Sequence, residues 1–159
     1  MKIDLTICGL KELADLSGEP WTHVVSIWDK DSIYDPVCRE LVDTAAPGAQ
    51  VLFCFFADTS VPDHPEAPGV LDVKRILNFT SELTAKDKVL VHCRAGVSRS
   101  TAIAYAILCQ HSSPGEEMEN LLHVQTLRPL VFPNRLIIKL ADKVLNRNGG
   151  MILHLSHED

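Results

Sequence analysis

The chain of 159 residues is the size of one compact domain, and its 46% hydrophobic and 23% charged residues exclude a disordered or fibrous protein. Lys and Arg number 15 against 21 Asp and Glu, a net charge of −6 with no basic run, which excludes a general nucleic-acid binder. No apolar run approaches the ~20 residues of a membrane helix, and no secretory leader follows Met1-Lys2, so the expected location is the cytoplasm, with no membrane partner.

Short apolar runs rich in β-branched residues at Ile3 to Cys8, His23 to Trp28, Val51 to Phe56 and Lys88 to His92 predict four buried strands. Between the last two, Val70, Val73, Ile76, Leu77 and Leu83 repeat with a helical period that starts just after Pro68-Gly69. Ser100 to Gln110 is small and apolar on nearly all sides, as a helix in the middle of a domain must be. Ser113 with Glu116 three residues on, and Pro114 between them, predicts a capped helix start continued by Met118, Leu121, Leu122 and Gln125. A last helix is expected over Asn134 to Leu145, ended by Asn148-Gly149-Gly150, and the tail 151–159 has no clear pattern. Alternating strands and helices imply one α/β domain over 1–159, with a central, mostly parallel sheet of about four to five strands flanked by helices.

The longest stretch without a periodic pattern is Asp58 to Gly69, stiffened by Pro62, Pro65 and Pro68; an ordered loop of this length is a candidate lid or acid-bearing loop. The five cysteines, Cys8, Cys38, Cys54, Cys93 and Cys109, are odd in number and form no C-x-x-C pair. Reduced thiols and no metal site are expected, with Cys54 and Cys109 as core residues ahead of partners for an oxidised Cys93.

The chemistry concentrates in Val89 to Thr101, read as strand, tight loop and helix start. A cysteine at the end of a buried strand, five residues, then an arginine at a helix N-terminus make a cradle for a tetrahedral dianion. The loop residues Arg94, Ala95, Gly96, Val97 and Ser98 supply backbone N–H groups, and Gly96 permits the turn that points them inward. The helix end adds free N–H groups and a positive dipole, and Arg99 a planar fork for two oxygens. The same surroundings favour a thiolate at Cys93 and so a lowered pKa. His92 is expected to point away and support the loop through a backbone hydrogen bond, Ser100 to stabilise the sulfur, and Ser98 to serve the loop and the helix cap.

This segment resembles the active-site signature of the cysteine-dependent protein tyrosine phosphatases, H-C-x-x-G-x-x-R-S/T, in the form H-C-x-A-G-V-S-R-S of their dual-specificity branch; every fixed position is matched. A chance match in a chain of this length is on the order of one in tens of thousands. Phe55-Phe56-Ala57-Asp58-Thr59 looks like the strand end where the family places its general acid, and Arg128-Pro129 with Phe132-Pro133-Asn134-Arg135-Leu136 looks like its R-x-x-x-x-P-N segment. The resemblance runs from about His23 to Leu145 and implies a cysteinyl-phosphate mechanism with Cys93 as nucleophile, Arg99 on the phosphoryl oxygens and no cofactor or metal. Asp58 is the expected general acid, emerging from a strand with Thr59 to support its carboxylate. Asp63 on the same loop is the second candidate, and Asp72 is a solvated residue in a helix.

The loop lacks the extra lysines of phosphoinositide-directed relatives, so a phosphoprotein or another monoester is the expected substrate. A chain without room for further recognition loops implies a shallow cleft open to phosphotyrosine, phosphoserine and phosphothreonine. Two other classes share a cysteine loop or a phosphate cradle. A rhodanese-like sulfurtransferase uses a loop one residue shorter, and a non-catalytic phosphate-binding module typically lacks the cysteine or arginine present here.

Overall fold

The protein is described by a computed structural model over residues 2–155. Its centre is a four-stranded sheet of β1 (Asp4–Cys8), β2 (His23–Trp28), β3 (Gln50–Phe55) and β4 (Lys88–His92), in the order β1-β4-β2-β3. All three pairings are parallel, with Cys8 opposite His92, Ser26 opposite His92 and Trp28 opposite Phe55. The expected α/β architecture and mostly parallel sheet are borne out.

A parallel sheet needs both faces covered, and the period-2 alternation of each strand serves the two sides. On one face Val89, Val91, Ile7, Val25 and Ile27 join a core closed by α2 (Val70–Phe79), α3 (Arg99–Gln110), α4 (Glu117–Leu127), α5 (Arg135–Val144) and α6 (Gly150–Leu153). On the other, Cys8, Val24 and Leu90 meet Leu13 of a 3-10 segment (Leu10–Leu16), Trp21 just before β2, and Val42 and Ala45 of α1 (Pro36–Ala45). As its composition predicts, α3 is buried from Arg99 through Cys109.

Three local features depart from the sequence expectations. α1 is not anticipated above, although Asp35 caps it by accepting from the Val37 N–H at 3.0 Å and Pro36 opens its first turn. The helix expected from Ser113 begins at Glu117 instead. Gly115 takes φ +102°, which ends any helical path, so Ser113 to Glu116 is a tight turn closed by the Glu116 N–H donating to the Ser113 carbonyl. Beyond Asn148, the chain re-enters the core: Asp142 accepts from the N–H groups of Gly149 and Met151 at 2.9 and 3.0 Å, and Tyr105 donates to the Met151 carbonyl at 3.0 Å. The unpatterned tail is therefore α6 up to Leu153, and residues 156–159 lie outside the described residues.

Because every strand runs the same way, their C-terminal ends share one rim. Gly9, Asp29, Asp58 and Cys93 all follow the last residues of β1, β2, β3 and β4. Among the described residues no helix is long and apolar enough to cross a membrane.

Candidate active site

Cys93 opens a loop of six residues between the end of β4 and the start of α3. Its sulfur lies 3.2 Å from the Gly96 N, whose N–H donates to it, and 3.2 Å from Ser100 Oγ. The loop is shaped by what its carbonyls do. The Arg94 carbonyl accepts from the Leu10 N–H at 2.8 Å, the Ala95 and Gly96 carbonyls accept from Arg128 Nη2 and Nε at 3.1 and 2.9 Å, and the Val97 carbonyl accepts from the Phe132 N–H at 3.0 Å. Four successive carbonyls are thus bonded away from the sulfur, and the Gly96 N–H points at it, as the backbone of an anion nest requires.

Gly96 has no substitute in this turn. Its φ is +72°, and a Cβ would sit 2.5 Å from the backbone of Cys8 and Gly9. Gly9 is its counterpart, since a Cβ there would meet the Ala95 carbonyl at 2.7 Å. Arg128 is itself held by Glu12 at 2.6 Å, and that bond is the main reason the Glu12 carboxyl titrates below its ordinary value. Arg128, singled out in the sequence, thus buttresses the loop, with Glu12 as a partner the sequence did not suggest.

His92 is fully buried, with Nε2 2.6 Å from Ser26 Oγ and Nδ1 3.4 Å from the Cys93 carbonyl. The Cys93 carbonyl can only accept, which places the imidazole proton on Nδ1; Nε2 then accepts from the Ser26 hydroxyl, which itself accepts from Trp28 Nε1 at 2.6 Å. Burial above all, with the Arg99 charge adding to it, pulls the His92 pKa down to about 4, so the ring is a neutral prop at physiological pH.

Arg99 opens α3 and is only 4% exposed. Its Nη1 donates to Asp29 Oδ1 at 2.9 Å and to the Phe56 carbonyl at 2.8 Å, while its buried Nε has no partner among the described residues. Asp29 also reaches Arg94, Oδ2 to Nη2 at 3.2 Å. Asp29 is absent from the sequence candidates. The signal that could have found it is its place directly after a buried strand, at the carboxyl edge of the sheet where α/β proteins build their sites. A cavity of about 230 Å³ opens at Cys93, Arg94 and Arg99, with Asp29 and Trp28 in its wall.

Asp58 does not line the Cys93 cavity; it lies in a separate recess of about 150 Å³ with Ser98, Pro133 and Asn134. One carboxylate oxygen accepts from Ser98 Oγ at 2.8 Å and from Asn134 Nδ2 at 2.9 Å, and the same amide donates to the Thr59 carbonyl at 3.0 Å. Ser98 is therefore a tether for Asp58 and gives no side-chain cap to α3. Thr59 does not support the carboxylate as expected: its hydroxyl accepts from the Val61 N–H, a local turn bond that competes better than a contact across the loop. Asp63 is exposed in a turn, and its carboxylate makes no hydrogen bond or ion pair among the described residues. Asp72 accepts from the Gly69 N–H at 2.8 Å and so secures the start of α2. Cys54 and Cys109 sit in the core, where burial pushes their thiols up to about 12 and about 11.

No family model matches the chain. Over 47 residues, 30% of its length, the chain is 51% identical to protein phosphatase Slingshot homolog 3 of Rattus norvegicus, and that match spans 7% of the relative. Among solved structures, Tk-PTP in the active form is 23% identical with a TM-score of 0.60, covering 92% of this chain and 94% of that one. Human DUSP28 is 19% identical with a TM-score of 0.58, covering 89% and 91%. PTPMT1 in complex with PI(5)P is 13% identical with a TM-score of 0.59, covering 91% and 94%. The fold is that of the tyrosine and dual-specificity phosphatases, and the resemblance drawn from the Cys93 segment is borne out.

Proposed function

We propose that this chain, which has the fold and the signature loop of the cysteine-dependent phosphatases of the dual-specificity type, hydrolyses phosphate monoesters through a cysteinyl-phosphate. The observation that carries the reading is Arg99: a guanidinium almost wholly buried, fixed by Asp29 and the Phe56 carbonyl through one nitrogen, with an unpartnered Nε, on a side chain that lines the same cavity as Cys93. A buried donor left without an acceptor is costly, and a phosphoryl oxygen is the acceptor that suits it.

The Cys93 thiolate attacks phosphorus, the S–P bond forms and the bond to the ester oxygen breaks. The leaving oxygen takes a proton from Asp58, whose second carboxylate oxygen is not engaged by Ser98 or Asn134. Water then attacks phosphorus and gives its proton back to Asp58. The P–S bond breaks, and the departing thiolate is stabilised by the Ser100 hydroxyl and the Gly96 N–H, both 3.2 Å from sulfur. Arg99 and the inward N–H groups of Arg94 to Ser98 hold the equatorial oxygens in both transition states, where such preorganised donors act most strongly. The route calls on no metal or cofactor.

The partner class is a phosphorylated protein, with phosphotyrosine first and phosphoserine or phosphothreonine also admitted, or another phosphomonoester, met in the cytoplasm. A sulfurtransferase reading fits less well, because five residues between Cys93 and a buried arginine suit a dianion better than a persulfide. A silent phosphate-binding module would have no use for a cysteine aimed by Gly96 and Ser100. The test is hydrolysis of p-nitrophenyl phosphate and of a phosphotyrosine peptide, with vanadate and with a chelator. Turnover blocked by vanadate, untouched by chelator and lost in Cys93→Ser is expected; sulfur transfer to cyanide, or no turnover of either ester, would overturn the reading.

A further inference from the structure

The cavity at Cys93 does not end at the phosphate cradle. Away from Arg99 its wall is Leu10, Val37 and Leu41, and these three residues also line a second recess of about 260 Å³, which continues past Ala14 and Thr44 between the 3-10 segment and α1. The two recesses therefore adjoin at these three side chains, a stepped trough with one end at the nucleophile and the other beside α1. Its side is apolar yet uncovered: Val37 is 50% and Leu41 40% exposed, and Ile33 and Tyr34 just before them are 48% and 93% exposed. Scattered exposed apolar residues are ordinary, but four within nine positions, two of which (Val37 and Leu41) line the cavity at Cys93, form a patch. Beyond Asp29, Arg94 and Arg99 the charged residues lining the trough are Asp35 and Glu40, both carboxylates.

We propose, building on the phosphatase reading above, that this trough seats the polypeptide on one side of the phosphorylated residue, and that the substrate is a phosphopeptide with an apolar side chain next to the phosphoresidue and basic residues around it. Leu10, Val37 and Leu41 gain by covering an apolar side chain, and Asp35 with Glu40 attract a cationic flank. The same carboxylates, on a chain of net charge −6, repel an anionic lipid surface, which sets the peptide ahead of a phosphoinositide in a membrane.

The test compares two phosphotyrosine peptides of equal length, one with leucine and arginine flanks and one with glycine and glutamate flanks, beside p-nitrophenyl phosphate and vesicles containing PI(5)P. The wild type is expected to hydrolyse the first peptide with kcat/KM about tenfold or more above the second, the worth of one well-covered apolar side chain. Thr44→Trp, which fills the far recess from an exposed helix position, and Glu40→Lys should erase that preference and leave p-nitrophenyl phosphate hydrolysis unchanged. Binding of both peptides to Cys93→Ser gives a second reading independent of turnover, with the same preference and the same loss on adding Thr44→Trp. Equal rates and equal binding for the two peptides, a preference that survives Thr44→Trp, or better use of the vesicles than of either peptide would overturn the proposal. Failure of the wild type on p-nitrophenyl phosphate would overturn the phosphatase reading instead, and the trough would then stand or fall on the binding data alone.

Discussion

Replacing Arg99 by lysine keeps the charge and removes the fork. In the native site Nη1 is spent on Asp29 and the Phe56 carbonyl, so the edge carrying Nε remains for two phosphoryl oxygens. A lysine ammonium has the same two fixed acceptors in reach and should settle on them, which leaves its charge near Asp29 with at most one proton directed at the substrate. Hydrogen bonds to charged groups contribute about 1.5–3 kcal/mol each, so losing one outright and misaligning the other costs roughly 3 kcal/mol, or a hundredfold and more in kcat/KM. The lysine variant should therefore lie close to Arg99→Ala in activity. It should melt near the wild type, because Asp29 keeps a cationic partner in Arg94 and in the new ammonium. The assay is kcat/KM on a phosphotyrosine peptide for the three proteins, with inhibition by vanadate as a readout of oxyanion binding and a thermal melt as the control. If Arg99→Lys retained more than about a tenth of wild-type kcat/KM, a loss under about 1.4 kcal/mol, two-point recognition by the guanidinium would be wrong.

Cys93→Ser should fold, still bind phosphate or vanadate measured by calorimetry, and show no turnover, because a serine hydroxyl in the loop stays protonated; substantial residual hydrolysis would remove the thiol mechanism. Asp58→Ala should lower kcat about a hundredfold or more on an alkyl phosphate and much less on an ester whose leaving group departs without a proton, while Asp63→Ala stays near wild type on both; the reverse pattern would move the acid to Asp63. Asn134→Ala should reproduce part of the Asp58→Ala leaving-group dependence, since it releases the carboxylate that Asn134 now holds, and a uniform drop on all esters would refute that link. His92 has a folded pKa of about 4 against an ordinary 6.5, so between these values the unfolded chain binds the extra proton and stability falls as pH drops through the window. Urea titrations from pH 7 to 4.5 should show the wild type losing about 2 to 3 kcal/mol more than His92→Gln over that range, and parallel pH slopes would contradict the buried neutral ring.

Local pattern carried much of the fold. Runs such as Lys88 to His92 can be read as strands because both faces of a parallel sheet are buried, and α3 could be read because its small apolar residues leave it no solvent side. The cradle was legible for a different reason: Cys93, Gly96 and Arg99 lie within seven residues, so their geometry is largely local. What stayed hidden depends on neighbours distant in sequence. Asp29 meets Arg99 only because β2 lies beside β4, and Glu12 meets Arg128 only because β1 lies on the other side. The position of Ser98 before α3 suits a cap, but Asp58, brought across by β3, takes its hydroxyl. Gly115 misled for the opposite reason: a Ser-x-x-Glu pattern favours a helix start, and one residue at positive φ overrides it.

The order β1-β4-β2-β3 also bears on when the Cys93 loop can take its final shape. The strand that delivers Cys93 is flanked by the first strand of the chain, and the Gly9–Leu10 corner presses directly on the loop through the Gly96 turn and the Arg94 carbonyl. Arg128, far along the chain, must then arrive to fasten two further carbonyls and be fastened by Glu12 in turn. The loop acquires its final shape only after segments from the beginning, middle and last third of the polypeptide have converged. Such long-range closures are slow relative to local helix formation. A nascent or partly opened chain can thus hold most of its helices and still leave the cysteine without its finished loop, so the proposed hydrolysis would report on completion of folding in a way that helix content cannot.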